Sequence, residues 1–224
     1  MRLHNLQDTK SECIARIIDD YADRNITRIL VVGCGSGIEA AILAEQLSAE
    51  CIGIDVIEDF HSTASLTATL QWGDAMDLEF DDSTFDLIYS YHALEHIADP
   101  VLALNEIHRV LQVNGIYWIG TPNRSRVVGY LGSNEATLTE KLKWNLTDWK
   151  ARLTGNFRNE YGAHAGFSRS ELAELLWMKF STVNDVSDAY YSAVYSRHPY
   201  FLAFLRKSHL ASIAYPSVYF MGRK

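Results

Sequence analysis

Apolar residues along this chain recur at two spacings, and each predicts a different element. Ile14, Ile17, Ile18 and Tyr21 stand at helical intervals, with Asn25 as a stop signal. Arg28–Val32 is then a short continuous apolar run, broken at once by Gly33, Gly35 and Gly37, which predicts a buried strand and a tight turn. Ile38, Ala41, Ile42 and Ala44 restore the helical period up to about Leu47. Further buried strands follow at Cys51–Asp55, at about Thr67–Trp72 and at Phe85–Tyr91, the second ended by Gly73 and Asp74. Asp99 and Pro100 suit the cap and first position of a helix carrying Val101, Leu104, Ile107, His108 and Leu111. Asn114 and Gly115 read as the turn into a fifth strand, Ile116–Ile119.

Short buried strands alternating with helices predict parallel βαβ units in a doubly wound sheet. Ligands of such sheets sit beyond the carboxyl ends of the strands, where strand order reverses. Gly33–Gly37, Asp55, Asp74 and Tyr91–His96 all fall at those ends. From about Arg124 to Phe167 the alternation lapses. Within it, Thr137 and Glu140 fit a capping box, and Leu142, Leu146, Trp149 and Leu153 share one face of a helix running to Leu153. A second capping box at Ser168 and Glu171, with Phe167 and Leu172 at staple spacing, opens a helix over 168–180. Strands at 182–186 and 217–221, with a short helix at 199–210 between them, complete the pattern.

A glycine-rich turn alone is weak evidence of a site. Asp55, at the end of the next strand, strengthens it, because a carboxylate there accepts both hydroxyls of a ribose. The pair points to a nucleoside-containing ligand. The glycine spacing departs from the dinucleotide fingerprint, and no Gly-Lys-Ser/Thr follows, which excludes a phosphate-binding P-loop.

Five motifs in order give a more specific match: residues 31–37 (Val-Val-Gly-Cys-Gly-Ser-Gly), Ile54-Asp55, Gly73-Asp74-Ala75, residues 80–86 and His92-Ala-Leu-Glu-His96. Together they resemble the class I S-adenosylmethionine-dependent methyltransferases, and within them the ubiquinone- and menaquinone-biosynthesis type. Residues 105–111, Asn114-Gly115 and Thr121-Pro-Asn123 continue the resemblance, which is close over 28–123 and looser beyond. It implies a Rossmann-like, mostly parallel seven-stranded sheet with an antiparallel C-terminal strand and a helical insertion after strand five. It also implies a single domain: a cofactor-binding core (28–123), a substrate-lid insertion (124–167) and a C-terminal helix with strands (168–224).

By position, the resemblance assigns Gly33, Cys34, Gly35 and Gly37 to the methionine and sulfonium end of S-adenosylmethionine. Asp55, with neighbouring Val56, falls at the ribose, and Asp74 with Ala75 at the adenine amino group. Tyr91 and His92 fall at the methyl-donor face. The family usually carries an acid two residues before the first glycine, contacting the methionine amino group; Val31 stands there in this chain, which leaves that contact to other residues such as the N-terminal ones. A hydroxyl or acidic-carbon acceptor needs a general base, and His92 and His164 are the candidates. Glu95 and His96 read instead as architectural. Transfer to O, N or C of a small organic acceptor, leaving S-adenosylhomocysteine, is the expected activity. Methylation of RNA or protein, or cofactor binding without catalysis, are the alternatives.

Composition adjusts this picture in a few places. The 224 residues are 48% hydrophobic and 21% charged, as expected for a folded domain. A net charge of −8 disfavours wholesale nucleic-acid or membrane-surface binding. Arg124–Arg158 nevertheless holds seven Lys/Arg against three Asp/Glu, a local +4 that leaves room for one anionic partner. Trp144, Trp149, Phe157 and Tyr161 lie in the same stretch, which reads as a pocket lid with Lys141, Lys143 and Lys150 on its solvated face. Three cysteines without paired spacing, no apolar run of bilayer length and no secretory signal at Met1–His4 make the cytoplasm the expected compartment. No metal site is expected from the spacing of His, Cys, Asp and Glu, and the sequence sets no oligomeric state.

Overall fold

Arg28–Val32 forms β1, an interior strand with all but its first residue buried. The computed structural model describes residues 9–130, 136–159 and 164–224. Before β1 comes α1 (Thr9–Tyr21); after it come α2 (Ile38–Leu47), β2 (Glu50–Asp55), β3 (Thr69–Trp72) and β4 (Phe85–Tyr91). Next are α3 (Pro100–Val110), β5 (Leu111–Pro122), α4 (Leu138–Leu153) and α5 (Arg169–Trp177). The chain closes with β6 (Thr182–Asp185), α6 (Ser187–Val194), α7 (Pro199–Lys207), α8 (Ala211–Ala214) and β7 (Ser217–Arg223). Tyr161 and Met1–His4, which the sequence reading used, lie outside the described residues.

The strands make one seven-stranded sheet in the order β3-β2-β1-β4-β5-β7-β6. Neighbours are parallel except β7, which runs antiparallel between β5 and β6. The expected mixed Rossmann-like sheet is therefore present, with helices on both faces. Period-two alternation divides its side chains between two cores. Ile29, Val31, Leu87, Tyr89, Ile116 and Trp118 pack toward α1, α2 and α6. Leu30, Val32, Ile88, Tyr117 and Ile119 pack toward α3 and α5. Val31, at the position usually acidic, is spent on the first core and is 1% exposed.

Local chemistry sets the joints. Asp99 caps α3 by accepting from Val101 and Leu102 N–H, and both predicted capping boxes, Thr137/Glu140 and Ser168/Glu171, are formed. Asp86, buried in β4, accepts from Thr27 N, Thr27 Oγ1 and Arg28 N at 2.6–3.1 Å, fixing the entry to β1. Asp82 pairs with Arg109 at 2.9 Å. Asp82 and Asp86 of the 80–86 motif are thus structural ties.

Two expectations are corrected. Asn114 and Gly115 do not precede the fifth strand: β5 starts at Leu111, and the pairing jumps from Phe85–Leu111 to Leu87–Ile116. The intervening residues form an irregularity within the strand, with Asn114 at φ 61°. The second correction concerns α4. Its apolar stripe faces outward, with Leu142 64%, Leu146 59% and Leu153 90% exposed, while Asn145 and Asp148 are buried. Asn145 accepts from Gly129 N at 2.7 Å and donates to its carbonyl at 3.2 Å. Asp148 pairs with the buried Arg126 at 3.0 Å. The helix docks through its polar stripe because its partner surface is backbone and a guanidinium rather than an apolar face.

Candidate functional site

The glycine turn leaves β1 with three left-handed residues, Gly33 at φ +72°, Gly35 at +52° and Gly37 at +80°. A Cβ on Gly33 would meet Ala93 at 2.2 Å, and one on Gly37 would meet Leu70 at 2.2 Å. Over Gly35, by contrast, the space is open. This is a cradle: two glycines let the turn pack down, and the third keeps its outer surface free for a ligand. Asp55 holds the cradle in place, its Oδ2 accepting from Gly35 N at 2.8 Å and its Oδ1 from Ile57 N at 2.9 Å. Each oxygen retains a lone pair for a hydroxyl. Val56 beside it is 60% exposed, an apolar surface at the strand end. Asp74 closes its own turn by accepting from Met76 N at 2.8 Å, and Ala75 packs into the core. Burial, followed by the charge of Asp55, pushes the Cys34 thiol up to about 12, so it stays protonated. These fittings match a nucleoside cofactor of the expected class.

Glu39, in the first turn of α2, places a negative charge that acts on both Tyr91 and Cys34. No motif in the sequence marks it. It brings a carboxylate to the loop from the helix, where β1 offers Val31.

β4 ends at Tyr91, and His92 then takes a left-handed φ of 54°, a conformation uncommon outside glycine, though His enters it more readily than most residues. Its N–H donates to Gly120 O at 2.7 Å, its ring stacks on Tyr91 at 4.4 Å, and Nε2 lies 3.0 Å from Ser217 Oγ. Burial, then the positive charge of Arg126, lowers its pKa to about 3. His92 is thus a neutral, pinned imidazole near physiological pH. Tyr91, raised to about 12 by burial, also stays neutral.

The two rings belong to a cavity of about 380 Å³ whose walls include Tyr190, Tyr191, Tyr195 and Tyr219, with Lys10, Arg126, Tyr130, His164 and Ser217. Burial raises the phenols of Tyr190, Tyr191 and Tyr219, so the wall presents aromatic faces and neutral O–H groups. The Tyr190 and Tyr219 rings pack tilted against each other with centroids 4.0 Å apart, and Tyr219 OH donates to Tyr91 OH at 3.4 Å. Of the expected site residues, the cavity gathers Tyr91, His92 and His164. The glycine turn, Asp55, Val56, Asp74 and Ala75 lie along the neighbouring strand ends and do not line it.

His164 reaches the cavity through the base of the insertion. Gly166, at φ +70°, sits so close to Pro122 O that a Cβ would fall 1.8 Å from it. Phe167 N donates to Pro122 O at 3.1 Å and Arg124 N donates to Phe167 O at 3.0 Å, zipping the end of the insertion to the end of β5. Arg126 then donates to His164 O at 3.0 Å. Three of the seven basic residues of the stretch are consumed in such contacts: besides Arg126, Arg124 binds Glu171 and Gly166 O, and Arg152 donates to the carbonyls of Arg124 and Arg126, while Lys143, Lys150 and Arg158 stay exposed.

The same closure produces a grouping that sequence spacing did not predict. Glu95, His96 and His164 bring one donor atom each within 4.8 Å of one another. The His96 and His164 rings meet edge-on at 4.8 Å. Glu95 is buried with both carboxylate oxygens lacking a hydrogen-bond partner. Burial raises its pKa to about 7 and, followed by the nearby His164, lowers that of His96.

Residues 30–119 match the family model described as a methyltransferase domain, in accord with the resemblance carried by the five motifs. The chain is 34% identical over 110 residues to tocopherol O-methyltransferase, chloroplastic, of Arabidopsis thaliana, covering 45% of this chain and 32% of that protein. It is 29% identical over 119 residues to ubiquinone biosynthesis O-methyltransferase of Neisseria meningitidis, covering 48% and 49%. Demethylmenaquinone methyltransferase of Staphylococcus aureus is 34% identical over 109 residues, 45% of each protein. The aligned region thus spans less than half the length of these relatives. Among solved structures, the fold is shared with MccD protein (TM-score 0.60, 20% identity, 95% and 96% covered). It is also shared with phosphoethanolamine N-methyltransferase 2 of Haemonchus contortus in complex with S-adenosyl-L-methionine (TM-score 0.60, 17% identity, 95% and 52% covered).

Proposed function

We propose, from the premise that residues 30–119 carry a methyltransferase domain of the class I, S-adenosylmethionine-dependent kind, that this chain methylates a small organic acceptor held in the tyrosine-walled cavity. One observation carries the reading: Tyr91 and His92 end the strand beside the glycine cradle and also form a wall of that cavity. Donor and acceptor would meet at that shared wall. The bound cofactor supplies a methyl group on a sulfonium, whose departure needs no proton, and S-adenosylhomocysteine is left. The chain's part is to bind, orient and exclude water.

Gly33, Cys34, Gly35 and Gly37 would hold the methionine portion, with Glu39 taking the ammonium contact that Val31 cannot make. Asp55 would accept the ribose hydroxyls, Val56 would lie against the purine, and Asp74 with Ala75 would meet its amino edge. The insertion at 124–167, closed onto Pro122, would act as the substrate lid of a single domain. His164, whose ring faces the cavity, is the imidazole that would receive an acceptor proton directly; His92 would orient the acceptor through its neutral ring. The aromatic walls favour a flat, hydroxylated acceptor. Inward use of Arg124, Arg126 and Arg152 favours that small molecule over RNA.

The test is calorimetry with S-adenosylmethionine and S-adenosylhomocysteine, followed by transfer of labelled methyl to small aromatic hydroxy compounds, RNA and protein in parallel. Binding with transfer to the small compounds is expected. Absence of binding overturns the reading, and binding without transfer leaves a non-catalytic cofactor-binding domain. His164→Ala is expected to lower kcat by about 100-fold or more with cofactor affinity unchanged.

A further inference from the structure

We propose that Glu95, His96 and His164 form a site for one divalent transition-metal ion beside the acceptor cavity, whose wall His164 alone of the three lines. Their donor atoms lie within 4.8 Å of one another, with Glu95 Oε1 and His96 Nε2 at 3.9 Å. Tetrahedral or octahedral ligands of one ion stand about 3–4.3 Å apart, given ligand bonds of about 2.0–2.2 Å. Small rotations of the two imidazoles close that gap, and both have room to rotate. His96 has a side chain 55% exposed, and His164 is exposed.

A second observation points to a ligand independently of the grouping. The Glu95 side chain is 1% exposed, and neither of its oxygens has a hydrogen-bond partner. Buried carboxylates are ordinarily paired or coordinate metals. The open side of this one faces an imidazole that can share a cation with it. The donor set, two imidazole nitrogens and one carboxylate oxygen, suits zinc, iron, cobalt or nickel better than magnesium or calcium. Arg126 is the positive group closest in effect, acting on both Glu95 and His92, and its charge is offset by Asp148 at 3.0 Å. Arg126 also donates to the carbonyl of His164 at 3.0 Å, a backbone anchor for that ligand.

Three protein ligands leave at least one coordination position open. On the reading that the cavity holds a hydroxylated acceptor, that position belongs to the acceptor oxygen. An ion there would acidify the hydroxyl and take over the task that His164 performs directly when no metal is present. Metal binding itself does not depend on that reading.

The experiment uses the full chain freed of metal by dialysis against EDTA, then titrated with Co²⁺ and, in competition, Zn²⁺. One equivalent of Co²⁺ is expected to give visible absorption bands of a nitrogen/oxygen site, displaced by Zn²⁺. Glu95→Gln and His164→Ala are each expected to weaken binding about 100-fold or more. Circular dichroism reports folding, and His96→Ala, at an exposed ring, serves as the third variant if either of the others fails to fold. No stoichiometric binding by the folded wild-type chain, or equal binding in the folded variants, overturns the proposal. S-adenosylhomocysteine affinity, measured separately, distinguishes this outcome from failure of the methyltransferase reading.

Discussion

Glu95 keeps both carboxylate oxygens out of water and without hydrogen bonds, and burial pushes its pKa from 4.5 up to about 7. In metal-free protein the unfolded chain gives up this proton near pH 4.5, whereas the folded chain holds it until near pH 7. Folding stability therefore falls as pH rises between those values, and the cost persists above them. Its ceiling is about 3 kcal/mol, from roughly 1.4 kcal/mol per pKa unit. Glu95→Gln has no charge to bury and is expected to melt several degrees above the parent at pH 8 in EDTA. The difference should shrink toward pH 5, and equal melting at pH 8 would mean the carboxylate is solvated. Nothing local in the sequence marks Glu95 as a titrating group, since burial and missing partners are properties of the folded neighbourhood. Asp55 was legible because its meaning depends only on its place at a strand end beside a glycine turn.

Among elements, α4 separates what local pattern specifies from what it leaves open. Its limits and its capping box follow from Thr137, Glu140 and the apolar period, all local. Its orientation does not, because the surface it meets is assembled from Arg126, Gly129 and Tyr130. Arg126 is 4% exposed and donates to Asp148, Asn123 O and His164 O. Tyr130 OH donates to the other Asp148 oxygen at 3.2 Å. Removing one partner of a buried pair leaves an uncompensated charge and costs about 3–5 kcal/mol. Asp148→Ala is accordingly expected to unfold at lower denaturant concentration and to raise hydrogen exchange in α4 and around His164. Replacing both partners, Arg126→Met with Asp148→Leu, should restore much of the stability. Wild-type exchange in the single variant would show that α4 is held by something else. The strands β1 and β4 contrast with this helix, since runs such as 28–32 and 85–91 carry their burial on both faces within their own sequence.

Over the whole molecule, the sheet places cofactor chemistry and acceptor chemistry on adjoining strand ends. One half, from β1 to β3, was legible because turn, carboxylate and strand follow one another in the chain. The other half draws Tyr190, Tyr191 and Tyr219 from α6 and β7 to Tyr91 on β4, a gathering made only by the antiparallel return of β7 between β5 and β6. Both cores share the strands of that sheet, so the two halves should unfold together. A ligand held at the glycine cradle must then stabilise the whole chain, and S-adenosylhomocysteine is expected to raise its single melting temperature. At 100 times Kd the linkage is about 2.7 kcal/mol. At about 2–4 °C per kcal/mol for a chain of this size, the shift is roughly 5–10 °C. Asp55→Ala should lower the baseline by releasing Gly35 N and also abolish most of the shift. Asp55→Asn, which keeps one carbonyl acceptor, separates the two effects by restoring the baseline more than the shift. A wild-type melting temperature that S-adenosylhomocysteine leaves unmoved would remove the cofactor from the account, and an undiminished shift in Asp55→Ala would remove Asp55 from its site.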